Sequence, residues 1–224
     1  MRKLFPSEKV ACSCGGLRLI GDVHGEYLQL SALSKGRHAI QIGDIGFGFN
    51  QALDKELQNV FRHRPDLRFM RGNHDNPSVC KNHMRHIPSG MDPSGIFFFG
   101  GGYSVDKDAR VPGVSWWADE EHSYGDMEWL IREYRKAKPR MVVSHEGPRV
   151  ATHRMFKPAW EIVSRTAQAL GVMWEIHQPE VWVFGHWHKN REIRIENTRF
   201  ICVGEDCSRD MHYPSCDRFE ETKK

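Results

Sequence analysis

Aspartate and histidine side chains stand close together just after the first apolar run of this 224-residue chain. Asp22 and His24 are two residues apart and follow residues 17–20. In an extended segment, residues i and i+2 point to the same side, so this pair could hold one metal ion. Gly21 and Gly25 flank the pair and leave space where the backbone turns and a ligand approaches. A lone Asp-x-His also occurs on ordinary protein surfaces, so the interpretation depends on the other motifs.

Four more stretches carry polar side chains directly after apolar runs, which makes five in all. The groups are Asp22 and His24 after the first run, Asp44 after the second, Asn73, His74 and Asp75 after the third, His145 after the fourth, and His186 and His188 after the fifth. The spacings leave room for a helix and a return strand each time. In open α/β sheets ligands bind outside the carboxyl ends of the strands, so we expect these groups to meet at one rim.

The chemistry of this set is that of a metal site. Apart from Asp75, it contains two aspartates, one asparagine and several histidines, with no thiolate among them. Such ligands suit Mn²⁺, Fe or Zn²⁺ better than an all-oxygen Ca²⁺ cage or a thiolate-rich structural zinc site. The set is too large for one ion. A carboxylate such as Asp44 could bridge two metals roughly 3.5–4 Å apart, which suits in-line phosphoryl displacement.

In this order the five motifs resemble those of the calcineurin-like metallophosphoesterase superfamily, over residues from about 17 to 203. The resemblance implies an α/β fold, an αββα four-layer sandwich of two mixed β-sheets flanked by helices, with a dinuclear metal site at the C-terminal ends of the strands. It also implies a role for each ligand. One metal would be held by Asp22, His24 and His188, the other by Asn73, His145 and His186, and Asp44 would bridge them. His74 matches the family histidine that stands beside the metals and stabilises the transition state or protonates the leaving oxygen.

Two features bear on whether the chain resembles the protein-phosphatase branch of this superfamily, one in favour and one against. Arg71, two residues before Asn73, could fork onto phosphate oxygens and matches an arginine of the protein-phosphatase branch. That branch usually carries an Asp-Arg-Gly element shortly after its Gly-Asp, and this chain lacks it after Asp44. In the family that aspartate orients the catalytic histidine, so His74 must be oriented otherwise or work with less support. Asp75 replaces a glutamate common in protein phosphatases, which favours small-substrate and phosphodiesterase-like members.

We therefore expect a two-metal phosphoesterase that attacks phosphorus directly with a metal-bridging hydroxide. Two divalent ions are implied, Mn²⁺ first, with Fe or Zn²⁺ as alternatives. A phosphomonoesterase acting on phosphoprotein or nucleotide is favoured over a phosphodiesterase or nuclease acting on cyclic nucleotides or nucleic acid, because Lys and Arg are scattered. The contrasting class is a non-catalytic binding module, which would be expected to have lost metal ligands.

Composition fits one globular domain with a sizeable core. The chain is 39% hydrophobic and 27% charged, with a formal charge of +3. This charge is too small to require a nucleic-acid partner. No apolar stretch approaches the roughly 20 residues that cross a bilayer, and no secretory signal is evident, so we expect a cytoplasmic protein without a membrane partner. We assign residues 1–204 to the metallophosphoesterase domain and residues 205–224 to a loosely held polar tail.

The six cysteines leave two interpretations open. Cys12 and Cys14 could converge with Cys202 and Cys207 on a structural zinc, although the spacings miss the usual two-residue interval. Buried or idle reduced thiols are the commoner explanation in a protein of this type.

The segment between the third and fourth motifs holds the variable material that should set specificity. We expect strands at residues 103–106 and 114–117 within it. An aromatic and acidic cluster follows, made of Trp116, Trp117, Asp119, Glu120, Glu121 and His122. It could be a substrate-facing loop, or the tryptophans could be core and the acids a helix start.

Overall fold

Two β-sheets form the centre of the protein in a computed structural model that describes residues 16–158, 163–216 and 219. In chain order the described strands are β1 (Leu17–Ile20), β2 (His38–Gln41), β3 (Leu67–Phe69), β4 (Gly90–Met91), β5 (Ile96–Phe99), β6 (Met141–Ser144), β7 (Val181–Phe184), β8 (Arg191–Ile195), β9 (Thr198–Cys202) and β10 (Ser208–Met211). The described α-helices are α1 (Tyr27–Leu33), α2 (Gln51–His63), α3 (Pro77–Asn82), α4 (Tyr124–Ala137), α5 (Arg149–Phe156) and α6 (Arg165–Ile176). A short 3₁₀ helix spans Lys107–Ala109.

Both sheets are mixed. The first has the strand order β10-β1-β2-β3, and the second has the order β4-β5-β6-β7-β9-β8. Strands β1, β2 and β3 are parallel, as are β5, β6, β7 and β9, while β10, β4 and β8 run antiparallel to their neighbours. Parallel neighbours end at the same edge of a sheet, so the turns after β1, β2 and β3, and those after β6 and β7, lie side by side.

Three apolar clusters define the layers. Alternate residues of β1 point to opposite faces, so Leu19 belongs to the cluster between the sheets and Ile20 to the cluster beneath α1 and α2. Trp182 of β7 belongs to a third cluster that packs against α4, α5 and α6. The order is therefore helices, sheet, sheet, helices, which confirms the predicted αββα sandwich. Burial of each large apolar side chain contributes about 1.5–3 kcal/mol to this arrangement.

Helix starts follow the local sequence. Asn50 accepts a hydrogen bond from the backbone N–H of Ala52 and begins α2, as its position before an apolar stripe predicts. Ser123 caps α4 by accepting from the N–H of Asp126, and Ser164 caps α6 by accepting from the N–H of Ala167. None of the described helices combines the length and the apolar character that crossing a bilayer requires.

The C-terminal segment corrects one prediction. The loosely held tail expected from residue 205 is wrong for its described part, because Ser208–Met211 forms β10 and pairs with β1. Met211, Tyr213 and Cys216 are buried in the cluster between the sheets. The edge of β1 offered unpaired backbone groups, and burying these apolar side chains holds the segment there.

The variable segment corrects a second prediction. Residues 103–106 and 114–117 were expected as strands, but the backbone there forms turns and irregular segments, and the 3₁₀ helix lies between the two ranges. A single isolated bridge joins Pro112 to Trp116. Pro112 and Gly113 favour a tight turn, and this turn overrides the β preference of the valine and tryptophans.

Candidate metal centre

Turns at the strand ends hold most of the candidate ligands in an uncommon backbone conformation. The φ angles are 42° at His24, 58° at Asp44, 66° at His186 and 51° at His188. Positive φ is unfavourable for residues with a side chain and persists where the surrounding structure imposes it. Four such residues in one place indicate that these turns are built to aim side chains.

The first ligand group consists of Asp22, His24 and His188, with one ligand atom from each within 4.8 Å of the others. Nε2 of His24 lies 3.1 Å from Nε2 of His188, and His188 Nε2 lies 3.1 Å from Oδ2 of Asp22. Oδ2 of Asp22 is buried and accepts no hydrogen bond among the described residues. Its other oxygen, Oδ1, accepts from the backbone N–H of His186 at 3.1 Å, which ties β1 to the turn after β7.

The second group consists of Asp44, His145 and His186, again with ligand atoms within 4.8 Å of one another. His145 is fully buried, and its Nδ1 lies 3.1 Å from the carbonyl oxygen of Ile42. That carbonyl can only accept, so Nδ1 carries a proton, and Nε2 faces the site, where it can give its lone pair to a metal once the imidazole is neutral. Asn73 joins this group, because its Oδ1 lies 2.9 Å from His145 Nε2.

Asp44 lies between the two groups. Its Oδ1 is 3.3 Å from Nε2 of His145, and its Oδ2 is 3.9 Å from Nε2 of His24. Oδ1 also accepts a hydrogen bond from the backbone N–H of His74 at 2.6 Å. One oxygen therefore faces each ligand group, as a bridging carboxylate requires.

Two glycines make this close arrangement possible. A Cβ at Gly72 would lie 2.0 Å from Oδ1 of Asp44, and a Cβ at Gly43 would lie 2.2 Å from Nδ1 of His145. Any side chain at either position would displace a candidate ligand. Gly43 in addition has a φ of 108°, which residues with a Cβ rarely adopt.

The centre stabilises positive charge. Burial disfavours a charged imidazole at His145, but the Asp44 carboxylate outweighs this and raises the pKa of His145 to about 10. The Asp22 carboxylate, whose Oδ2 lies 3.1 Å from Nε2 of His188, likewise raises the pKa of His188. At His186 burial, followed by repulsion from His145, lowers the pKa to about 4. Neutral imidazole is the form that binds metals, and the buried carboxylates attract a cation to the same place.

These residues fit two metal ions. The candidate ligand atoms carry lone pairs and face one another at about hydrogen-bond distance. Two imidazole nitrogens, or an imidazole nitrogen and a carboxylate oxygen, need a cation or a proton between them at that distance. Asp22 Oδ2 is the clearest case, since it is buried and has no hydrogen-bond donor among the described residues. The mixture of carboxylate, amide and imidazole suits Mn²⁺, Fe or Zn²⁺. The structure brings together all seven predicted ligands, and their role as ligands stays a prediction.

His74 stands beside the first group. Its ring centroid is 5.2 Å from that of His24 with the rings nearly perpendicular. Nε2 of His74 lies 3.9 Å from Oδ1 of Asp106, a residue of the variable segment. Burial lowers the pKa of His74, and the Asp44 carboxylate opposes this shift. Asp106 is thus the carboxylate near His74 in this chain, whereas the family pattern places one shortly after the aspartate that corresponds to Asp44.

Arg71 is buried and supports the variable segment. Its Nη1 donates to the backbone carbonyl of Glu120 at 2.6 Å, and the guanidinium lies against Gly101. The phosphate-binding role predicted for Arg71 from the sequence stays a prediction. Glu120 in turn accepts hydrogen bonds from the backbone N–H and the hydroxyl of Ser104, at 2.9 and 2.7 Å.

Asp75 has a role that the sequence analysis missed. Its buried carboxylate accepts hydrogen bonds from the backbone N–H groups of Gly72, Asp44, Gly46 and Phe47 at 2.7–3.1 Å. It therefore fixes the turn after β2 against the turn after β3. Gly72 lies only three residues before Asp75 in the sequence. The tendency of aspartate to accept backbone hydrogen bonds in turns was therefore a local signal for part of this role.

The aromatic and acidic cluster is neither a helix start nor a simple core element. Glu120 and Glu121 are buried, and Glu121 accepts from the backbone N–H of Thr166 at 2.8 Å. The start of α4 is capped by Ser123 instead. Trp117 packs edge-to-face on Phe49 with ring centroids 4.9 Å apart. Its role in a substrate-facing loop stays a prediction.

The zinc hypothesis for the cysteines stays open. Cys12 and Cys14 lie outside the described residues. Cys202 is buried and Cys207 is partly buried, and both are free thiols. Cys202 donates to the carbonyl oxygen of Gly185, whereas Cys207 accepts from Asn190. The two metal-ligand groups found among the described residues contain no cysteine.

The protein is an αββα sandwich, and the ends of its strands hold two groups of carboxylate and imidazole side chains around one aspartate. This combination of fold and site defines a class, the phosphoester hydrolases with candidate sites for two metals. The chain belongs to the calcineurin-like phosphoesterase family, whose family model matches residues 17–190. A comparison with curated proteins found no significant match to this sequence.

Two solved structures align with this chain at low sequence identity. A provisionally assigned 5'-nucleotidase from Staphylococcus aureus, solved in complex with α-ketoglutarate, aligns with a TM-score of 0.51 and 14% identity. The alignment covers 86% of this chain and 49% of that one. This chain thus spans about half of that structure. The phosphopantetheinyl hydrolase from Mycobacterium tuberculosis aligns with a TM-score of 0.47 and 13% identity, over 91% of this chain and 97% of that one.

Proposed function

We propose that this protein is a metal-dependent phosphomonoesterase. The observation that carries the proposal is the position of Asp44, with one carboxylate oxygen facing each ligand group and a hydrogen bond to the backbone of His74. A dinuclear site of this kind matches the demands of phosphoryl transfer to water, in which charge develops on the attacking and leaving oxygens together.

The chain's own residues would orient and protonate the substrate. Two bound divalent ions, held by the seven predicted ligands, would supply an activated water and withdraw charge from the phosphoryl group. His74 would donate a proton to the leaving oxygen or stabilise the charge that develops there. Its backbone hydrogen bond to Asp44 sets its distance from the centre, and its imidazole also lies near the carboxylate of Asp106.

We favour phosphoprotein or nucleotide substrates for this activity, since the chain's cationic residues are scattered and a nuclease would bring a broad basic groove. Hydrolysis of diesters, including cyclic nucleotides and nucleic acid, is the alternative. A cytoplasmic location remains the prediction from the sequence.

The test is a comparison of hydrolysis by the purified protein, stripped of metal and reloaded with Mn²⁺. The substrates are p-nitrophenyl phosphate and bis-p-nitrophenyl phosphate, and the variants are His74→Ala and Asp44→Ala. We expect faster turnover of the monoester, loss of about 10²–10⁴-fold in His74→Ala, and no turnover in Asp44→Ala.

A matched control is His153→Ala, because His153 is exposed on α5 and belongs to neither ligand group. It should retain full activity. Preference for the diester would replace the monoesterase assignment with the phosphodiesterase one. Retained activity in Asp44→Ala, or no metal uptake by the wild type, would remove the two-metal assignment altogether.

A further inference from the structure

Arg110 is a nearly buried cation in the variable segment, just after the 3₁₀ helix. Its side chain is 8% exposed. Nη1 donates to the hydroxyl of Ser104 at 2.7 Å and lies 3.9 Å from Oε2 of Glu120. Nη2 is buried and has no hydrogen-bond partner among the described residues. A buried guanidinium nitrogen without an acceptor is unfavourable, so the site is complete only when something supplies one.

Ser104 links Arg110 to the candidate metal centre. The Ser104 hydroxyl accepts one hydrogen bond from Arg110 and another from Nδ2 of Asn73, the latter at 3.0 Å. The hydroxyl donates its own proton to Glu120 at 2.7 Å. Both lone pairs and the proton are thereby used, and the guanidinium is held one side chain away from a predicted metal ligand.

Asp106 shows that an anion can stand between Arg110 and His74. Its Oδ1 lies 3.7 Å from Nη1 of Arg110 and 3.9 Å from Nε2 of His74. Its side chain is 46% exposed, so this position is open to solvent. A phosphate that displaced this exposed carboxylate would meet the histidine on one side and the guanidinium on the other.

The chemistry of the guanidinium points to a phosphoryl group. Arginine presents two parallel N–H donors that match two oxygens of a phosphate. A phosphate monoester has three terminal oxygens and up to two negative charges, whereas a diester has two such oxygens and one charge. A further cationic donor beyond the metals matches the extra oxygen and charge of the monoester, and Arg110 offers one.

We infer that Arg110 binds the terminal phosphoryl oxygens of the substrate and thereby selects phosphate monoesters over diesters. This inference rests on the proposed function, since it names the substrate class of the same site. It also gives Arg71 a different role, that of holding the backbone of Glu120, whose carboxylate fixes Ser104.

The test measures binding as well as turnover. Calorimetric titration with inorganic phosphate is carried out on Mn²⁺-loaded wild type, Arg110→Gln, Arg110→Lys and Lys107→Gln, with the metal content of each determined by elemental analysis. We expect phosphate binding to weaken by about tenfold or more in Arg110→Gln and by about threefold in Arg110→Lys, which retains the charge without the fork.

Turnover supplies the specificity readout. In Arg110→Gln, kcat/KM for p-nitrophenyl phosphate should fall by about 100-fold, while that for bis-p-nitrophenyl phosphate should change by less than about threefold. Lys107→Gln removes one positive charge from the same segment, where Lys107 lies over the ring of Tyr103. It should bind phosphate as the wild type does, which separates a specific contact from a general loss of charge.

The outcomes distinguish the two assignments. If metal-loaded Arg110→Gln binds phosphate as tightly as the wild type, the inference is overturned even though the protein is a phosphoesterase. If the wild type binds phosphate through Arg110 yet hydrolyses neither ester, the binding role stands and the proposed function fails. Should Arg110→Gln not fold, Arg110→Lys decides, and unchanged phosphate affinity in that variant overturns the inference.

Discussion

The carboxylate of Asp75 accepts a hydrogen bond from the backbone N–H of Asp44 at 2.9 Å, across 31 residues of sequence. The residue proposed to bridge two metals is therefore held at its backbone by another buried acid. Asp44 cannot shift without breaking this hydrogen bond, and its own Oδ1 is fixed by the N–H of His74. The turns after β2 and β3 are thus rigidly connected, and the position of the candidate metal centre depends on that connection.

Replacing Asp75 should loosen the metal centre. In Asp75→Asn the amide nitrogen no longer accepts hydrogen bonds, so some of the backbone donors at Gly72, Asp44, Gly46 and Phe47 lose their acceptor. We expect the free energy of unfolding to fall by about 2 kcal/mol, and Mn²⁺ affinity to fall with it. Urea unfolding and equilibrium dialysis measure the two. Asp54→Asn is the control, because Asp54 accepts a single backbone N–H from outside its helix, that of Gly48. An equal loss in both variants would contradict the special role of Asp75.

A methyl group at position 72 should weaken metal binding. In Gly72→Ala the new Cβ would lie 2.0 Å from Oδ1 of Asp44, so the bridging carboxylate must move. We expect activity to fall by at least about 100-fold with reduced metal content. Gly171→Ala is the matched control: Gly171 lies within α6, where an added methyl meets no neighbouring group within 4 Å, and alanine there should be neutral or stabilising by up to about 1 kcal/mol. A fully active Gly72→Ala enzyme is inconsistent with the tight contact.

Metal removal should be visible in stability and in stoichiometry. The buried carboxylates of Asp22 and Asp44 repel one another less when cations lie between them, so bound Mn²⁺ should raise the thermal midpoint and EDTA should lower it. We expect about two ions per chain in the wild type and about one in His186→Ala. Elemental analysis after dialysis gives the numbers. One ion in the wild type would leave only one of the two ligand groups occupied and contradict the bridging role of Asp44.

Acid should destabilise the protein through its neutral histidines. Burial, assisted by the positive charge of Arg71, lowers the pKa of His122 from 6.5 to about 3. Between these values the unfolded chain takes up a proton that the folded protein does not, so the free energy of unfolding falls as pH falls through this window. The slope is at most about 1.4 kcal/mol per pH unit for one histidine. His122 and Ser89 form a hydrogen bond of 2.8 Å, and glutamine can keep this contact.

Denaturant unfolding at several pH values between about 6.5 and 4.5 checks this expectation. His122→Gln should show a shallower loss of stability toward acid than the wild type. The exposed His153→Gln should follow the wild-type curve. Identical slopes in all three proteins would show that His122 takes up its proton equally in the folded and unfolded states.

The last strand should be required for stability. Met211 of β10 is 2% exposed and lies between the sheets, so Met211→Ala should cost about 2–5 kcal/mol of unfolding free energy. Ser208, at the start of the same strand, is exposed, and Ser208→Ala should be near neutral. Thermal or urea unfolding compares them. A loss below about 0.5 kcal/mol in Met211→Ala would mean that β10 is dispensable.

Local sequence patterns were sufficient for most elements and for choosing the candidate ligands, whose role as ligands stays a prediction. An apolar run followed by glycine and an acid or histidine predicts a strand that ends at a ligand, and β1, β2 and β7 are such strands. The capping residue Asn50 was likewise readable, because a cap depends on neighbours within a few residues. The strands expected at residues 103–106 and 114–117 were wrong because propensity is weak where a turn decides the path.

The sequence by itself determined the family, the order of the motifs and the identity of the candidate ligands, since these depend on residue types at short spacing. The tertiary structure decided which carboxylate stands near the imidazole of His74, what Arg71 contacts, and where residues 205–216 go. Asn73 meets Ser104 across 31 residues, and Asp22 meets His186 across 164. Such contacts form only when separate elements pack, because the burial of the whole core places their ends together, and no spacing along the chain encodes those distances.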